Sequence, residues 1–343
     1  MSNRPLVSVI VLNYNGLALS RNCLKSLLKT KYSNFNIYFI DNGSDVDEAK
    51  MLQKEFGDRK IRFIRNKKNL GYVVGNNKAV GETSSKYVVF LNNDTEVDAD
   101  WLGPLVGEME SDKKVGACQP KILSLVKPGQ FDYGGACGGF IDKFGYPFTR
   151  GRVFYSSEKD KGQYDKKINV FWASGVALMI NRKNFINSGM FDSRFFIYME
   201  EIDLCWRLQN LGYSVCVVPS SVIYHINSAT AKKNMIKKRF YEHRNNLTLL
   251  AKYYSLKDLL LLFPQRIFLE FFSLFYFLLK RDMDSFIGQS WGDLAFFFLL
   301  PKLLRKRNGK FHSMNDFNEG VYKGSVALEY FMFGKKNFVQ IFK

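Results

Sequence analysis

The sequence predicts an α/β fold in which a doubly wound, mostly parallel sheet is followed by a C-terminal helical, membrane-interface region. Apolar, β-branched runs alternate with segments of helical spacing over residues 1–230, as in a sheet whose strands are buried on both faces. Polar turn residues follow several of these runs directly, and the composition becomes basic and Phe-rich after residue 230. The 343 residues suffice for a large domain, 1–230, and a smaller one, 231–343.

Apolar periodicity places the elements of the first domain in chain order. The pattern predicts strands at residues 6–12, 37–40, 61–64, 87–91 and 213–218. It predicts helices at residues 18–29, 48–56, 73–81 and 200–211. Turn-rich sequence at 128–151 interrupts the alternation, and an apolar run at 170–180 resumes it.

The composition excludes several classes of protein. With 46% hydrophobic and 16% aromatic residues, the chain is neither disordered nor collagen-like. Its five cysteines contain no C-x-x-C pair, which favours a reducing compartment over a disulfide-stapled fold. The N-terminal apolar run has no signal-peptide cleavage pattern, so we expect a cytoplasmic protein.

The net charge of +18 is concentrated in the C-terminal third. Residues 231–343 carry +11 and 17 of the 32 Phe residues, whereas residues 1–230 carry +7. A helix is predicted from the basic pair Lys232 and Lys233 to about residue 254. The basic residues flank Phe and Leu runs and do not form a stripe interleaved with aromatics, so we expect no nucleic-acid partner.

Two apolar stretches, 259–279 and 294–307, are candidate membrane segments. The first contains Arg266 and Glu270, and a central charge costs about 2.5–3.5 kcal/mol, so neither stretch is expected to span. Their apolar residues beside a basic group suit helices that lie in an anionic membrane interface, on the inner face of the cell membrane. The basic group consists of Lys302, Arg305, Lys306 and Arg307. A buried helical subdomain with a solvated basic rim is the alternative.

Polar residues follow three predicted strands at the point where each strand ends. The segments are NYNG (13–16), DNGSD (41–45) and NNDT (92–95). In a doubly wound sheet, ligands bind beyond the carboxyl ends of the strands, so we expect one pocket there. Taken singly, each segment also suits a turn or a helix cap.

Three further features bear on the chemistry. The segment NLGYVVGNN (69–77) matches neither G-x-G-x-x-G nor a P-loop, so neither dinucleotide binding nor ATP hydrolysis follows from it. The acidic cluster EEID (200–203) either complements a helix dipole or supplies a general base. His225 stands at a strand end, where a structural histidine is the alternative to a ligand.

The ordered motifs resemble the family 2 inverting glycosyltransferases, in particular their rhamnosyltransferase-like branch. The resemblance covers about residues 5–250, in the segments VSVIVLNYNG, DNGSD, NLGYVVGNN, LNNDTEV, WASGVALMINR and GMFDSRFFIYMEEIDLCWRLQNLGY, followed by His225. It implies the GT-A fold, a nucleotide-binding α/β sheet.

The resemblance also implies roles for individual residues. Asp94 resembles the carboxylate that binds a divalent metal, Mg²⁺ or Mn²⁺, and His225 resembles a histidine that completes this site in some members. Glu201 holds the position of the family's catalytic Asp, with Glu200 and Asp203 as further candidates for the base. The donor-binding set is Asn13, Asn15, Asp41, Asn69, Gly71, Asn92 and Asn93. The acceptor side is implied to contain Trp172, Ser174 and Gly175, although Trp172 could equally be a core residue.

The implied function is non-processive transfer of a sugar from a nucleotide-sugar donor, dTDP-rhamnose or a UDP-sugar, to a glycan on polyprenyl diphosphate. Arg244 and Asn245 resemble the Y-x-x-R-N element of this branch. A processive synthase would need a Q-x-x-R-W element and spanning helices, which the sequence lacks. A non-catalytic, basic membrane- or nucleic-acid-binding protein that retains the sheet is the alternative from another class.

Overall fold

A computed structural model describes residues 4–57, 60–226, 234–305, 307 and 319–342; Lys232, Lys233 and Lys306 lie outside these ranges. The elements of the first half, in order, are β1 (Val7–Asn13), α1 (Leu17–Leu27), β2 (Phe35–Asp41), α2 (Glu48–Phe56), β3 (Ile61–Arg65), α3 (Gly71–Gly81), β4 (Tyr87–Asn92), β5 (Thr95–Val97), α4 (Leu102–Ser111) and β6 (Val115–Ser124). The predicted strands and helices of residues 1–91 are confirmed to within two residues at most ends.

The remaining strands and two helices follow, up to residue 225. They are β7 (Gly139–Asp142), β8 (Pro147–Thr149), β9 (Arg152–Val153), β10 (Ser156–Ser157), β11 (Ile168–Asn169), β12 (Ala177–Asn181), α5 (Arg182–Asn187), α6 (Glu200–Asn210) and β13 (Ser214–His225). The late strand is longer than the predicted 213–218, with a register shift after Val218. His225 is therefore its last residue.

The large sheet has the strand order β11-β13-β6-β12-β4-β1-β2-β3, and β5 pairs with β13. Strands β1 to β4 run parallel to one another, but β12 is antiparallel to both of its neighbours, β4 and β6. The prediction of a mostly parallel sheet is thus wrong: the sheet is mixed. Because β12 runs backwards, its first residue, Ala177, pairs with Leu91 near the end of β4. The residues before β12 consequently reach the edge where β1 and β4 end.

The core lies on both faces of this sheet. Alternate residues of one strand face opposite clusters: Phe90 packs with Phe185 and Phe191, whereas Val89 and Leu91 lie in the other cluster. Burial on both faces explains why the strands are continuously apolar.

The turn-rich segment 128–151 contributes to a second, five-stranded sheet of order β10-β9-β8-β7-β14. Its last member, β14 (Val321–Tyr322), comes from the C-terminal region and pairs in parallel with β7. Buried Asp142 fixes the junction, since its carboxylate accepts hydrogen bonds from the backbone N–H groups of Phe144, Tyr146 and Val326. The C-terminal region is therefore interlocked with the sheet region, while a domain boundary near residue 230 stays a prediction.

The C-terminal region is helical. Its helices are α7 (Met235–Tyr253), α8 (Leu256–Leu261), α9 (Phe263–Leu279), α10 (Met283–Arg305), α11 (Val326–Phe331) and α12 (Phe338–Ile341). Gly288 lets α10 approach α7 closely, because a Cβ there would lie 2.4 Å from the carbonyl oxygen of Ile236. Within the described residues, no helix combines the length and apolarity needed to cross a bilayer.

Candidate active site

A cleft of about 1230 Å³ lies at the carboxyl edge of β1 and β4. It brings together most of the residues that the sequence singled out: Asn13, Asn69, Gly71, Asn92, Asn93, Asp94, Trp172, Ser174, Gly175, Glu200, Glu201 and His225. Three predicted site residues, Asn15, Asp41 and Asp203, do not line it.

Asn13 organises the strand ends. Its amide nitrogen donates to Glu48 Oε2 at 2.6 Å, and its oxygen accepts from Asn93 Nδ2 at 2.8 Å. The side chain of Asn93 is thus held at the cleft wall. Gly16 makes this possible, since a Cβ there would lie 2.4 Å from Asn93 Nδ2.

Asp41 and Asn15 shape the neighbouring loop and do not face the cleft. The buried carboxylate of Asp41 accepts from the backbone N–H groups of Ser44 and Glu48, at 2.9 and 3.1 Å. The exposed Asn15 accepts from the backbone N–H of Asp45 at 2.9 Å. Both residues make local loop contacts and do not line the cleft here, so their part in donor binding stays a prediction.

Asn42, which was not singled out, lines the cleft instead. Its amide nitrogen donates to Asn69 Oδ1 and to the carbonyl oxygen of Gly71, each at 3.2 Å. The DNGSD motif therefore reaches the cleft through its second residue. The motif identifies the loop that borders the cleft. Which of its side chains lines the cleft depends on where β2 ends.

A carboxylate–histidine–carboxylate chain forms the opposite wall. Pairing of β5 with β13 places Thr95 opposite His225, which brings Asp94 alongside the imidazole. The ring's Nε2 lies 3.1 Å from Asp94 Oδ1, and its Nδ1 lies 2.7 Å from Asp132 Oδ1. Burial lowers the pKa of His225, but the hydrogen bonds to Asp132 and Asp94 outweigh it and raise that pKa to about 10.

The Asp94–His225–Asp132 arrangement would suit a divalent cation. Asp94 offers oxygen and His225 offers nitrogen, a donor pair that suits Mn²⁺, and Asp132 orients the imidazole from behind as outer-shell carboxylates do in metal sites. Asp132 was missed by the sequence reasoning. It lies in the turn-rich segment, and only the tertiary fold brings it to a residue 93 positions away.

Glu200 and Glu201 begin α6 at an unusual turn. The two preceding residues, Tyr198 and Met199, have left-handed backbone conformations with φ of 67° and 72°, which are rare for non-glycine residues. The side chain of Asn245 on α7 donates to the carbonyl oxygens of Ile197 and Tyr198, at 2.8 and 2.9 Å. The C-terminal helix thus holds the turn that aims the two carboxylates.

The two carboxylates are desolvated. Burial raises the pKa of Glu201 to about 7 and raises that of Glu200 well above its ordinary value, with help from the Glu201 charge. One oxygen of each, Oε2, has no hydrogen-bond partner among the described residues. Both carboxylates are therefore easier to protonate than an exposed Glu, and the charge of Glu201 adds to this effect at Glu200.

Gly175 leaves room for this pair. A Cβ on Gly175 would lie 3.8 Å from Glu201 Cβ and 3.3 Å from the hydroxyl of Tyr72, which donates to the Gly175 carbonyl oxygen at 2.9 Å. Trp172 belongs to the core, since it is 7% exposed and its Nε1 donates to the Phe140 carbonyl oxygen at 2.9 Å, and it also lines the cleft. Ser174 donates to the Gly134 carbonyl oxygen and so shapes the same wall.

Asp203 belongs to an ion-pair network behind the cleft. Its fully buried carboxylate accepts from Arg207 Nε at 2.9 Å and from the Tyr253 hydroxyl at 2.8 Å, and it contacts Lys252 of α7. With these partners it ties α6 to α7. The prediction that Asp203 contributes to the base is therefore corrected: it positions elements and does not face the cleft.

We expect Asp203→Asn to lower the free energy of unfolding by about 3 kcal/mol, because it removes the fully buried negative charge that Arg207 and Lys252 share and leaves Lys252 only its ion pair with Asp192. Urea unfolding measures the loss. Below the unfolding transition, the activity per folded molecule should remain close to that of the unsubstituted protein. A large loss of activity in fully folded Asp203→Asn would return Asp203 to the catalytic group.

An α/β sheet of the GT-A type, with acids and amides at its carboxyl edge, is the fold of glycosyltransferases. The solved structures agree on the fold. GalNAc-T7, solved with UDP, GalNAc and Mn²⁺, superposes with a TM-score of 0.59 at 16% identity, over 75% of this chain and 49% of that one. The mannosyltransferase PcManGT from Pyrobaculum calidifontis, solved with GDP-Man and Mn²⁺, gives 0.54 at 13% identity, over 90% and 89%.

The chain belongs to glycosyl transferase family 2, whose profile matches residues 8–188. Among curated relatives, the O-antigen biosynthesis protein RfbC of Myxococcus xanthus is 28% identical over 69% of this chain and 18% of its own length. The uncharacterized protein y4gI of Sinorhizobium fredii is 29% identical over 67% of this chain and 25% of its own length. This chain therefore spans about a quarter or less of these two relatives. N-acetylglucosaminyl-diphospho-decaprenol L-rhamnosyltransferase of Mycobacterium tuberculosis is 21% identical, over 73% and 85%.

Proposed function

We propose that this protein is an inverting, metal-dependent glycosyltransferase that adds single sugars to a lipid-linked glycan in cell-surface polysaccharide biosynthesis. One observation carries the proposal: a single cleft holds an ionisable Glu201, with a pKa of about 7, together with the Asp94–His225 pair. The names of the Myxococcus and mycobacterial relatives agree with this class of product.

The donor would bind on the side of the cleft lined by amides. Asn13, Asn42, Asn69 and Asn93 are all held by side-chain hydrogen bonds there. These fixed amides can donate to and accept from a nucleotide without a reorganisation cost. The donor is a UDP-sugar or dTDP-rhamnose.

Asp94 and His225 would hold Mg²⁺ or Mn²⁺, and such a cation neutralises charge on a departing diphosphate. Glu201 takes the proton from the acceptor hydroxyl, whose oxygen lone pair attacks the anomeric carbon. The bond from that carbon to the diphosphate oxygen breaks, and its electron pair leaves with the nucleoside diphosphate. One in-line displacement inverts the anomeric configuration. A base with a pKa near the working pH suits this step.

Glu201 occupies the position of an Asp in the family resemblance, so its carboxylate extends one methylene further. The longer side chain lies alongside Gly175, where a Cβ would be at an ordinary contact distance of 3.9 Å from Glu201 Cδ. The left-handed turn at Tyr198 and Met199 sets the start of α6 and hence the distance that the side chain must reach.

Incubation of the protein with a panel of nucleotide sugars and Mn²⁺ tests this function. We expect hydrolysis or transfer with one of them, with loss of activity on chelation and recovery with Mn²⁺ or Mg²⁺. A protein that binds vesicles but turns over no nucleotide sugar would instead be the non-catalytic alternative.

The C-terminal helices would place the enzyme on the inner face of the cell membrane as a peripheral protein. Their outer surface, which we call the aromatic face, exposes Phe268, Phe271, Phe272, Phe275, Leu279, Trp291, Leu294, Phe297 and Phe298. Exposed apolar groups of this extent mark an interaction surface, and basic residues Lys302 and Arg305 stand beside them on α10.

We expect the triple variant Phe271→Ser, Phe275→Ser, Phe298→Ser to bind anionic vesicles at least about tenfold more weakly, because each Phe contributes buried apolar area in a membrane. These side chains are 64%, 59% and 78% exposed, so the fold should not change. Vesicle sedimentation measures the loss.

The matched control is Val46→Ser, Met51→Ser, Val126→Ser, which removes three apolar groups that are 55%, 46% and 65% exposed from the sheet region. Substitution tests the membrane contact more specifically than deletion from residue 234 onward, because deletion also removes the partners of Asp203 and of the Tyr198 carbonyl oxygen. Equal sedimentation of both triple variants would exclude the aromatic face as the membrane contact.

A further inference from the structure

The cleft continues past the carboxylate pair into the C-terminal helices. Beyond Tyr198 its lining includes the cationic side chains Arg152, Lys238 and Arg239 and the carboxylate Glu242, while a fourth cation of the lining, Arg266, is paired with Glu270 on α9. We call Arg152, Lys238, Arg239 and Glu242 the cationic cluster. Its net charge is +2, which a single bound anion with two negative charges would balance.

The side chains of the cluster are held by ion pairs and are partly desolvated. Arg239 donates to Glu242 Oε2 at 2.9 Å, and Lys238 lies 3.9 Å from Glu242 Oε1. The side chains of Arg239 and Lys238 are only 17% and 12% exposed. Arg152 packs over the ring of Tyr133, and burial lowers its pKa to about 10. Keeping three partly buried positive charges beside a single carboxylate destabilises the free protein, and an anionic ligand offsets this cost when it binds.

Beyond the cluster the lining becomes apolar. Leu269, Phe272 and Phe277 of α9 form one side of it, and Phe331 and Met332 form another. Phe272 and Met332 are 56% and 72% exposed, so this part of the cleft opens onto the aromatic face. Along the cleft, the character of the wall therefore changes from carboxylate to cationic to apolar.

We propose that the cationic cluster binds the diphosphate of an acceptor whose hydrocarbon chain lies along the apolar wall. A sugar attached to that diphosphate then extends toward Glu201, with its hydroxyl at the base. The assignment of the hydroxyl end depends on the proposed function, whereas the anion and the hydrocarbon chain follow from the charge and polarity of the wall. Guanidinium groups favour this ligand because they match phosphate oxygens with paired donors.

Binding of farnesyl diphosphate, measured by calorimetry on the full chain, tests the proposal without turnover. We expect it to bind at least about tenfold more tightly than farnesol or inorganic diphosphate, since each of these lacks one half of the interaction. The double variant Lys238→Gln, Arg239→Gln should lose about tenfold or more in affinity for farnesyl diphosphate. The matched control, Lys113→Gln, Lys114→Gln, removes two exposed cations from the turn after α4 and should bind like the unsubstituted protein.

Glu242→Gln provides a test in the opposite direction. It raises the net charge of the cluster, so farnesyl diphosphate should bind several-fold more tightly, a gain that a folding defect cannot produce. Thermal unfolding of each variant identifies any that is misfolded.

The affinities for UDP and dTDP, measured in the same samples, separate the two proposals. If both the cluster variant and the unsubstituted protein bind a nucleotide equally, the cluster does not serve the donor, as we expect. Equal loss of nucleotide and farnesyl diphosphate binding would assign the cluster to the donor and overturn the inference. So would equal affinities for farnesyl diphosphate and farnesol. Absence of any nucleotide binding with retained farnesyl diphosphate binding would refute the proposed function alone.

Discussion

We expect Glu201→Gln to lower sugar transfer by about 10²–10⁴-fold while the affinity for the donor nucleotide stays unchanged, because it removes the general base and preserves the shape of the side chain. Glu200→Gln is the matched control. Burial and the charge of Glu201 raise the pKa of Glu200 well above its ordinary value, so the neutral Gln resembles the form of Glu200 that the fold favours. Glu200→Gln should therefore keep most of the activity. The reverse order of effects would make Glu200 the base.

The same substitution has a predicted effect on stability. The pKa of Glu201 is raised from 4.5 to about 7 in the folded state, so the folded protein favours the protonated form. The stability that the folded protein gains from protonated Glu201 is fully present below pH 4.5 and is lost as the pH rises through 7. Gln carries no charge at any pH. The melting temperature of Glu201→Gln should therefore exceed that of the unsubstituted protein at pH 8 and match it near pH 4. Activity of the unsubstituted protein should fall as the pH is lowered below about 7, where the base becomes protonated.

We expect Asp94→Asn to lower transfer by about 10²–10³-fold, because it removes the carboxylate that would neutralise the cation beside the diphosphate. Nucleotide binding gives a readout that is independent of turnover. Mn²⁺ should tighten the binding of UDP or dTDP to the unsubstituted protein and should have little effect in the variant.

Asp100→Asn is the control for this experiment, since Asp100 is an exposed acid of the same segment that pairs with Lys31 at 2.7 Å. It should respond to Mn²⁺ like the unsubstituted protein. An undiminished Mn²⁺ effect in Asp94→Asn would exclude Asp94 as a ligand. A Mn²⁺ effect that is absent from all three proteins would exclude the cation site itself.

The parallel half of the sheet and its strand ends could be predicted because their signals are local. Continuous apolar runs mark strands such as β1 and β4, and the residues that follow them, Asn13 and Asp94, must meet at one edge. The adjacency of Glu200 and Glu201 at the start of a helix is also local, although the main cause of their raised pKa values is burial, which depends on the tertiary fold.

The antiparallel strand β12 could not be predicted, because a buried apolar run reads the same in either direction. Its reversal is what brings Ser174 and Gly175 into the cleft. Partners that are distant in sequence could not be predicted either. Asp132 reaches His225 because its backbone N–H donates to the Ile122 carbonyl oxygen of β6, and Lys252 reaches Asp203 only when α7 docks. Asp41 and Asp203 are the opposite case. Their positions in the sequence suggested a role in the site, but their carboxylates are fully hydrogen-bonded by backbone N–H groups or basic side chains.

The contact of Asn245 with the Ile197 and Tyr198 carbonyl oxygens has a consequence for synthesis on the ribosome. The sheet region is translated first, yet the turn that aims Glu201 gains its support only after α7 has emerged, and β7 gains its β14 neighbour only after residue 322. A nascent chain that has folded residues 4–226 alone therefore has an unfinished catalytic turn and an uncovered strand edge. The support for this turn and the aromatic face therefore both belong to the part of the chain that is translated after the sheet region.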